Sequence, residues 1–268
     1  MAAYLESLVA RAYAEIHHRR SRGTSFSFWK WLRAGFPQAF RRHVQAFRLS
    51  LAITIAGVVF GAGALVFSAD SKATLMPFDH LMQSPHQRVA SEEKQQSAKN
   101  HDRLAGEKPT FSADLMTHNI RVSVLTLAMG MTWGLGVVTL LFYNGVILGA
   151  VGCDYIRDGQ LPFLLGWLLP HGVIEIPAIL VGGQAGFVLA GALVGWGGRG
   201  TRRKRLELVR GDLASLAGGM AVMLVWAGII EAFVSQYHQP VLPYSLKIAF
   251  GCVELALLTG YLSRAGVK

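Results

Sequence analysis

The sequence predicts an all-α membrane protein. The expected fold is a polytopic helix bundle with six spans, or four spans plus a re-entrant hairpin, and both termini cytoplasmic. Three observations lead there. Of the 268 residues 52% are hydrophobic and 16% charged, whereas a soluble domain carries roughly 25% charge. Four apolar runs have the length of about 20 residues that crossing the hydrocarbon core requires. The net charge of +10 is gathered between and before those runs rather than spread along the chain. Such apolar content excludes a disordered chain, and 2 cysteines cannot staple a fold of this length.

The runs follow in order. Residues 49–68 and 122–142 are uncharged, 213–236 is interrupted only by Glu231, and 244–262 carries Lys247 and Glu254. The first run begins far too late for a cleaved signal peptide, so it is expected to remain as an anchor. Orientation follows the Lys and Arg residues beside the spans. The leader 1–48 holds nine, the segment 199–210 holds six and the tail holds Arg264 and Lys268. Residues 69–120 instead balance six basic against seven acidic residues. The three basic segments are therefore placed inside and the 69–120 loop outside. Parity then requires residues 146–198 to cross an even number of times, either as two spans near 161–179 and 180–197 or as a re-entrant hairpin.

The chain divides into a cytoplasmic leader, 1–48, and a membrane bundle, 49–268, with an extracytoplasmic loop at 69–120 and a basic cytoplasmic loop at 199–210. In the leader, Leu5, Leu8, Val9, Ala12 and Ile16 form one helical stripe. A second stretch sets Phe28, Trp29, Trp31, Phe36, Phe40 and Phe47 among arginines. Both are expected to lie in the membrane interface, with aromatics at headgroup depth and cations on anionic lipid. A protein partner on the same face is the alternative, and a nucleic-acid surface is not expected. The external loop has few large apolar residues and is read as solvated, or as a contact segment for an external partner. Its histidines, His80, His86, His101 and His118, lack metal-site spacing.

The chemistry concentrates in the middle. Asn144-Gly145 is a breaker pair able to take positive φ, expected to set a turn after the second span. Pro170 is expected to stop a helix just before His171 and Gly172. His171 and Glu175 then share a face, four residues apart. Ionisable groups inside a span are costly and usually face the bundle interior or a water cavity. Four readings of the pair stand open. It could close a helix N-terminus, form a proton or ion site with Glu231 and Glu254, contact a partner or ligand, or hold a hydrolytic metal. The last lacks a third ligand and the HExxH pattern. With no GxSxG elbow and no GxxxxGK[ST] loop, no catalytic residue, cofactor or metal is assigned and the protein is not expected to be an enzyme. Glycines four apart (Gly57/Gly61, Gly130/Gly134, Gly145/Gly149, Gly182/Gly186, Gly191/Gly195) let helices approach closely, within the bundle or between copies. Cys153 and Cys252 are read as unpaired packing residues on the reducing side.

Leu169-Pro170-His171-Gly172 with Glu175 and Pro177, followed by a glycine-rich helix, resembles the stage II sporulation protein M family of integral membrane proteins. The leader, the large loop after the first span and the Asn144-Gly145 element are similar to that family too. The resemblance implies a non-enzymatic multi-pass protein of the bacterial cytoplasmic membrane that scaffolds or assembles an envelope-associated complex. Its implied partners are peptidoglycan-remodelling proteins or a MoxR-type ATPase system, and an oligomer is compatible with it. A small transporter or channel-like component using the intramembrane His and Glu residues is the alternative function.

Overall fold

The computed structural model describes residues 26–68, 71–76, 83–98, 108–195, 200–235, 237, 239 and 241–267. The amphipathic stripe at 4–16, together with His80, His101 and Arg199, lies outside them. Among the described residues every regular element is helical. A helical turn Phe28–Lys30 and a π-turn Trp31–Gly35 lead into α1 (Phe36–Arg42), then α2 (Val44–Phe67). Outside the first run come a short turn Ser71–Leu75 and α3 (Pro85–Ala98). There follow α4 (Lys108–Ala128), a 3-10 turn Met129–Thr132, α5 (Leu135–Arg157) and α6 (Leu161–Val194). The chain ends with α7 (Arg202–Ile230), its π-turn Glu231–Ser235, and α8 (Tyr244–Arg264). Among the described residues five helices are long and apolar enough to cross a membrane: α2, α5, α6, α7 with its π-turn, and α8.

Three expectations are corrected. The run 122–142 is not one span. It is cut by Trp133 (φ 56°) and Gly134 (φ 91°), both left-handed, where the Thr132 hydroxyl accepts from Gly136 N–H at 2.9 Å and donates to the Met129 carbonyl. Conversely, Asn144-Gly145 is no turn but lies inside α5, with Asn144 Nδ2 donating to the Leu140 carbonyl at 2.8 Å. Gly145 is needed there because a Cβ would collide with the Thr54 carbonyl of α2. Finally, residues 146–198 form neither two spans nor a hairpin. They hold the end of α5 and the 34-residue α6, which runs through Pro170 and Pro177. A proline inside a helix costs about 3 kcal/mol, yet α6 is the central helix of the bundle. Of its most apolar window 72% is buried, against 28 to 39% in the other four. Its enclosure by neighbouring helices offsets what the prolines cost.

Contacts set the directions. Thr54 meets Gly145, and Val58 meets Gly149, so α2 and α5 are parallel. Gly134 meets Ala190 while Leu141 meets Gly183, so α6 runs opposite to α5. Ser123 lies beside Gly182 and Thr126 beside Gly186, so α4 runs with α6. Thus α4 and α5 diverge from the Trp133-Gly134 reversal with α6 behind both. Most of the four-spaced glycines are consumed inside the chain: Gly57 and Gly61 against Gly145 and Gly149, and Gly130 against Gly186.

The leader is also corrected. Phe36 and Phe40 are 1% and 8% exposed, inside the core formed with Leu216, Met220 and Val181 rather than in the lipid interface. Gly219 makes the room, since a Cβ there would overlap the Phe36 ring. Arg41 donates to the Leu262 and Ala265 carbonyls at 2.8 and 2.7 Å, satisfying acceptors at the end of α8 that no helical N–H can reach. Arg205 does the same for α6 through the Ala192 and Leu193 carbonyls. Arg42 and His43 bind Asp212 of α7, and the hydrogen bonds that Arg42 donates to Asp212 hold its guanidinium above the ordinary range. The boundary at 48/49 falls within the continuous α2.

At the opposite end, the described part of the 69–120 loop is largely helical, and Met76, Arg88 and Val89 pack it onto the bundle. Met76 and Val89 join Leu65, Tyr155, Phe163 and Tyr244 in a second core. Arg88 is 7% exposed, donates to Tyr155 Oη at 3.0 Å and stands 4.8 Å over the Trp167 ring. Lys72 pairs with Asp154 at 2.7 Å. One arginine and one lysine thus tie a short apolar surface to the bundle, which the loop's low apolar content conceals.

Candidate functional site

The continuity of α6 puts His171 and Glu175 one turn apart on a buried face, 2% and 8% exposed. Pro170 does not break α6, so the pair does not close an N-terminus there. His171 Nε2 stands 3.9 Å from Glu175 Oε2, a pairing distance but not a hydrogen bond. His171 Nδ1 bonds Ser235 Oγ at 2.8 Å, and its ring meets Trp167 edge-on at 6.1 Å. Asn119 of α4 donates through Nδ2 to Glu175 Oε1.

Ser235 is presented by the π-turn at the end of α7. A π-turn shifts the carbonyl ladder and leaves acceptors out of register. Lys247 of α8 meets this need. It is 1% exposed and donates to the Ser235 and Tyr237 carbonyls at 2.9 and 2.7 Å. Glu231 opens the same turn, fully buried and within electrostatic range of Glu175, with no hydrogen bond to its Oε1. Four helices therefore contribute to one interior polar cluster.

Beside the cluster is a cavity of about 200 Å³ between α4, α5 and α6, floored by Thr54 of α2. Its walls are chiefly apolar, including Ile147, Leu148, Trp167, Leu168 and Ile176, and its polar lining includes Asn119, Asn144, His171 and Glu175. The structure thus brings together Asn144, His171 and Glu175, with Glu231 close behind. The other named residues serve elsewhere. Gly145 faces α2, and Gly172 packs on Leu168 and Ile176 of its own helix. Glu254 accepts from Trp226 Nε1 at 2.8 Å between α7 and α8, away from the cavity, while its Oε2 has no hydrogen bond.

Asn119, Ser235 and Lys247 were not singled out by sequence. Lys247 carried the one available signal, a cation within an apolar run. Asn119 and Ser235 are small polar residues at run edges, and only the tertiary fold reveals their partners. Among the described residues no three His, Cys, Asp or Glu side chains converge as metal ligands.

Residues 49–236 match the family described as stage II sporulation protein M. The chain belongs to that family. The match contains every residue that lines the cavity and all the named site residues except Lys247 and Glu254. This stage II sporulation protein M family member is also similar to an uncharacterized protein of Methanocaldococcus jannaschii. The two are 35% identical over 74 residues, which is 27% of this chain and 42% of the relative. The matched part therefore spans less than half of that curated relative's length. No solved structure matches the chain.

Proposed function

We propose that the protein is a non-enzymatic integral membrane scaffold or assembly factor for a multiprotein, envelope-associated complex. In this reading α4 adds a sixth crossing, running with α6 and α8 against α2, α5 and α7. Both termini then lie on the cytoplasmic side of a bacterial inner membrane, because the Lys- and Arg-rich segments share that end. There they meet anionic lipid rather than nucleic acid.

The observation that carries the reading is the docked leader. Gln38 donates to the Gly266 carbonyl at 2.8 Å and Trp31 Nε1 to Ser215 Oγ at 3.2 Å, alongside the Arg41 and Asp212 ties. This fixed base leaves Phe26, Phe28 and Trp29 exposed by 76, 44 and 67%. A surface fixed before association loses little freedom on binding, and exposed aromatics are favoured anchors in interfaces. Of the three intramembrane glutamates only Glu175 lines the cavity, and Glu254 is held by Trp226 between α7 and α8, which favours this reading over one continuous polar path. Peptidoglycan-remodelling proteins and a MoxR-type ATPase system are the partners this reading favours.

The test replaces Phe28 and Trp29 together by serine. Monodisperse protein that loses specific co-purifying partners in mild detergent, measured by quantitative mass spectrometry, supports the scaffold. Proteoliposomes of the wild type and of Glu175→Gln should be equally impermeable to protons and ions. Reproducible flux that requires Glu175 would replace the scaffold by a transporter or channel-like component. For topology, in a background lacking Cys153 and Cys252, Ser91→Cys should label from outside and Thr201→Cys should not.

A further inference from the structure

Side-chain oxygens are numerous in the lining of the cavity beside α6, where they stand with the imidazoles of His118 and His171. Thr54 spends its hydroxyl proton on the Ser50 carbonyl at 3.0 Å. Asn144 directs its Nδ2 to the Leu140 carbonyl, and Asn119 directs its Nδ2 to Glu175. Each of these three lining groups keeps an acceptor oxygen. Glu175 adds Oε2, whose nearest polar neighbour is His171 Nε2 at 3.9 Å. Four residues that carry such an oxygen therefore line a cavity whose walls are mostly aliphatic, with Trp167 among them.

Charge points the same way. Glu175 is nine-tenths buried, and Glu231 behind it is fully buried with an unbonded Oε1. Lys247 is engaged on two carbonyls and Arg88 on Tyr155 and over Trp167, while Arg121 of α4 is exposed, near His118 in the cavity lining. A buried carboxylate in an apolar site calls for a donor of opposite charge. The space is larger than a bare inorganic ion would fill. A cavity of about 200 Å³ is slightly larger than one of about 150 Å³ that accepts benzene.

We propose that the cavity binds a small amphiphilic ammonium ion. A protonated primary amine would reach Glu175 Oε2 and the Asn144 side-chain carbonyl, and a short apolar stem would lie along Ile147, Leu148 and Trp167. Its function as a ligand site is separate from the scaffold reading and does not depend on it.

The experiment is calorimetric titration of detergent-solubilised full-length protein with hexylammonium, subtracting empty micelles. One saturable site is expected, with 1-hexanol weaker by about ten-fold or more, because the hydrogen bonds to the charged head are lost. Glu175→Gln should weaken hexylammonium by a similar factor. Leu148→Trp, which fills the space and leaves every acceptor in place, should abolish binding while the protein stays monodisperse. Should Glu175→Gln fail to fold, Asn144→Leu tests the acceptor set with the carboxylate intact and should also weaken the amine more than the alcohol. Absence of a saturable site, equal affinity for hexanol, or a Leu148→Trp variant that titrates like wild type would overturn the proposal. So would displacement of hexylammonium by millimolar sodium, which would assign the acceptors to an inorganic cation.

Discussion

The α2–α5 seam and the polar cluster of α4, α6, α7 and α8 solve one problem by opposite means. Lipid offers little hydrophobic drive for one helix to bind another, so association relies on close packing and hydrogen bonds between helices. At the seam the backbones themselves touch. Gly57, Gly61, Gly145 and Gly149 each face a carbonyl or main-chain atom of the other helix, with no room for a Cβ. At the cluster, side chains bridge a wider gap through His171–Ser235, Glu175–Asn119 and Lys247 to two carbonyls. The seam is rigid because nothing in it can rotate away. The cluster encloses space and unspent acceptors, and that is where a ligand can be held. Shape thus decides the first region and chemistry the second.

The largest effect should come from breaking the seam. In Gly61→Leu the new side chain meets the Val146 carbonyl, a backbone atom that cannot move without separating α2 from α5. A destabilisation above about 4 kcal/mol is expected, seen as loss of monodisperse protein or as a collapsed midpoint in detergent-induced unfolding. A mild response would mean the seam is looser than its geometry. The cluster is next. Lys247→Met removes the donor to two buried carbonyls and should cost about 3 kcal/mol, measured by the same unfolding titration. Ser235→Ala strips the partner from His171 Nδ1 and should cost about 1–2 kcal/mol. If Ser235→Ala were instead the most damaging of the three, the cluster and not the seam would hold the bundle together.

The contrast also explains what sequence could reveal. Apolar runs marked α2, α7 and α8 because a lipid-facing surface must be apolar whatever it packs against. The i, i+4 relation of His171 and Glu175 was readable because it is local. Glycine defeated the same reasoning, since one residue type serves two needs. At Gly134 it supplies a left-handed backbone that reverses the chain, whereas at Gly145 it supplies absence of volume inside a helix. Nothing within a few residues separates these uses. The prolines of α6 misled for a related reason. Their local preference for ending a helix is overcome by burial on all sides, which is a property of the assembled bundle. Asn119, Ser235 and Lys247 stayed hidden because their roles depend on partners in other elements, on α6 or at the π-turn that ends α7.

The smallest effect tests the two uses of glycine directly. Gly191 forms a four-spaced pair with Gly195, just as Gly57 does with Gly61, so spacing alone treats the two pairs alike. Within the chain they differ, because a Cβ at Gly191 would meet nothing within 4 Å. Gly191 also lies in the last turn of α6, where glycine is less favourable than alanine by up to about 0.8–1 kcal/mol. Gly191→Ala should therefore stabilise the protein by about 0.5–1 kcal/mol, the opposite sign to any enlargement at Gly61. The unfolding midpoint would shift upward with the elution volume unchanged. A decrease, accompanied by loss of a larger species in mild detergent, would show that a second copy packs on this face of α6. In that event the small-residue stripe would divide its work, joining helices of one chain at the α2–α5 seam and joining two chains at Gly191.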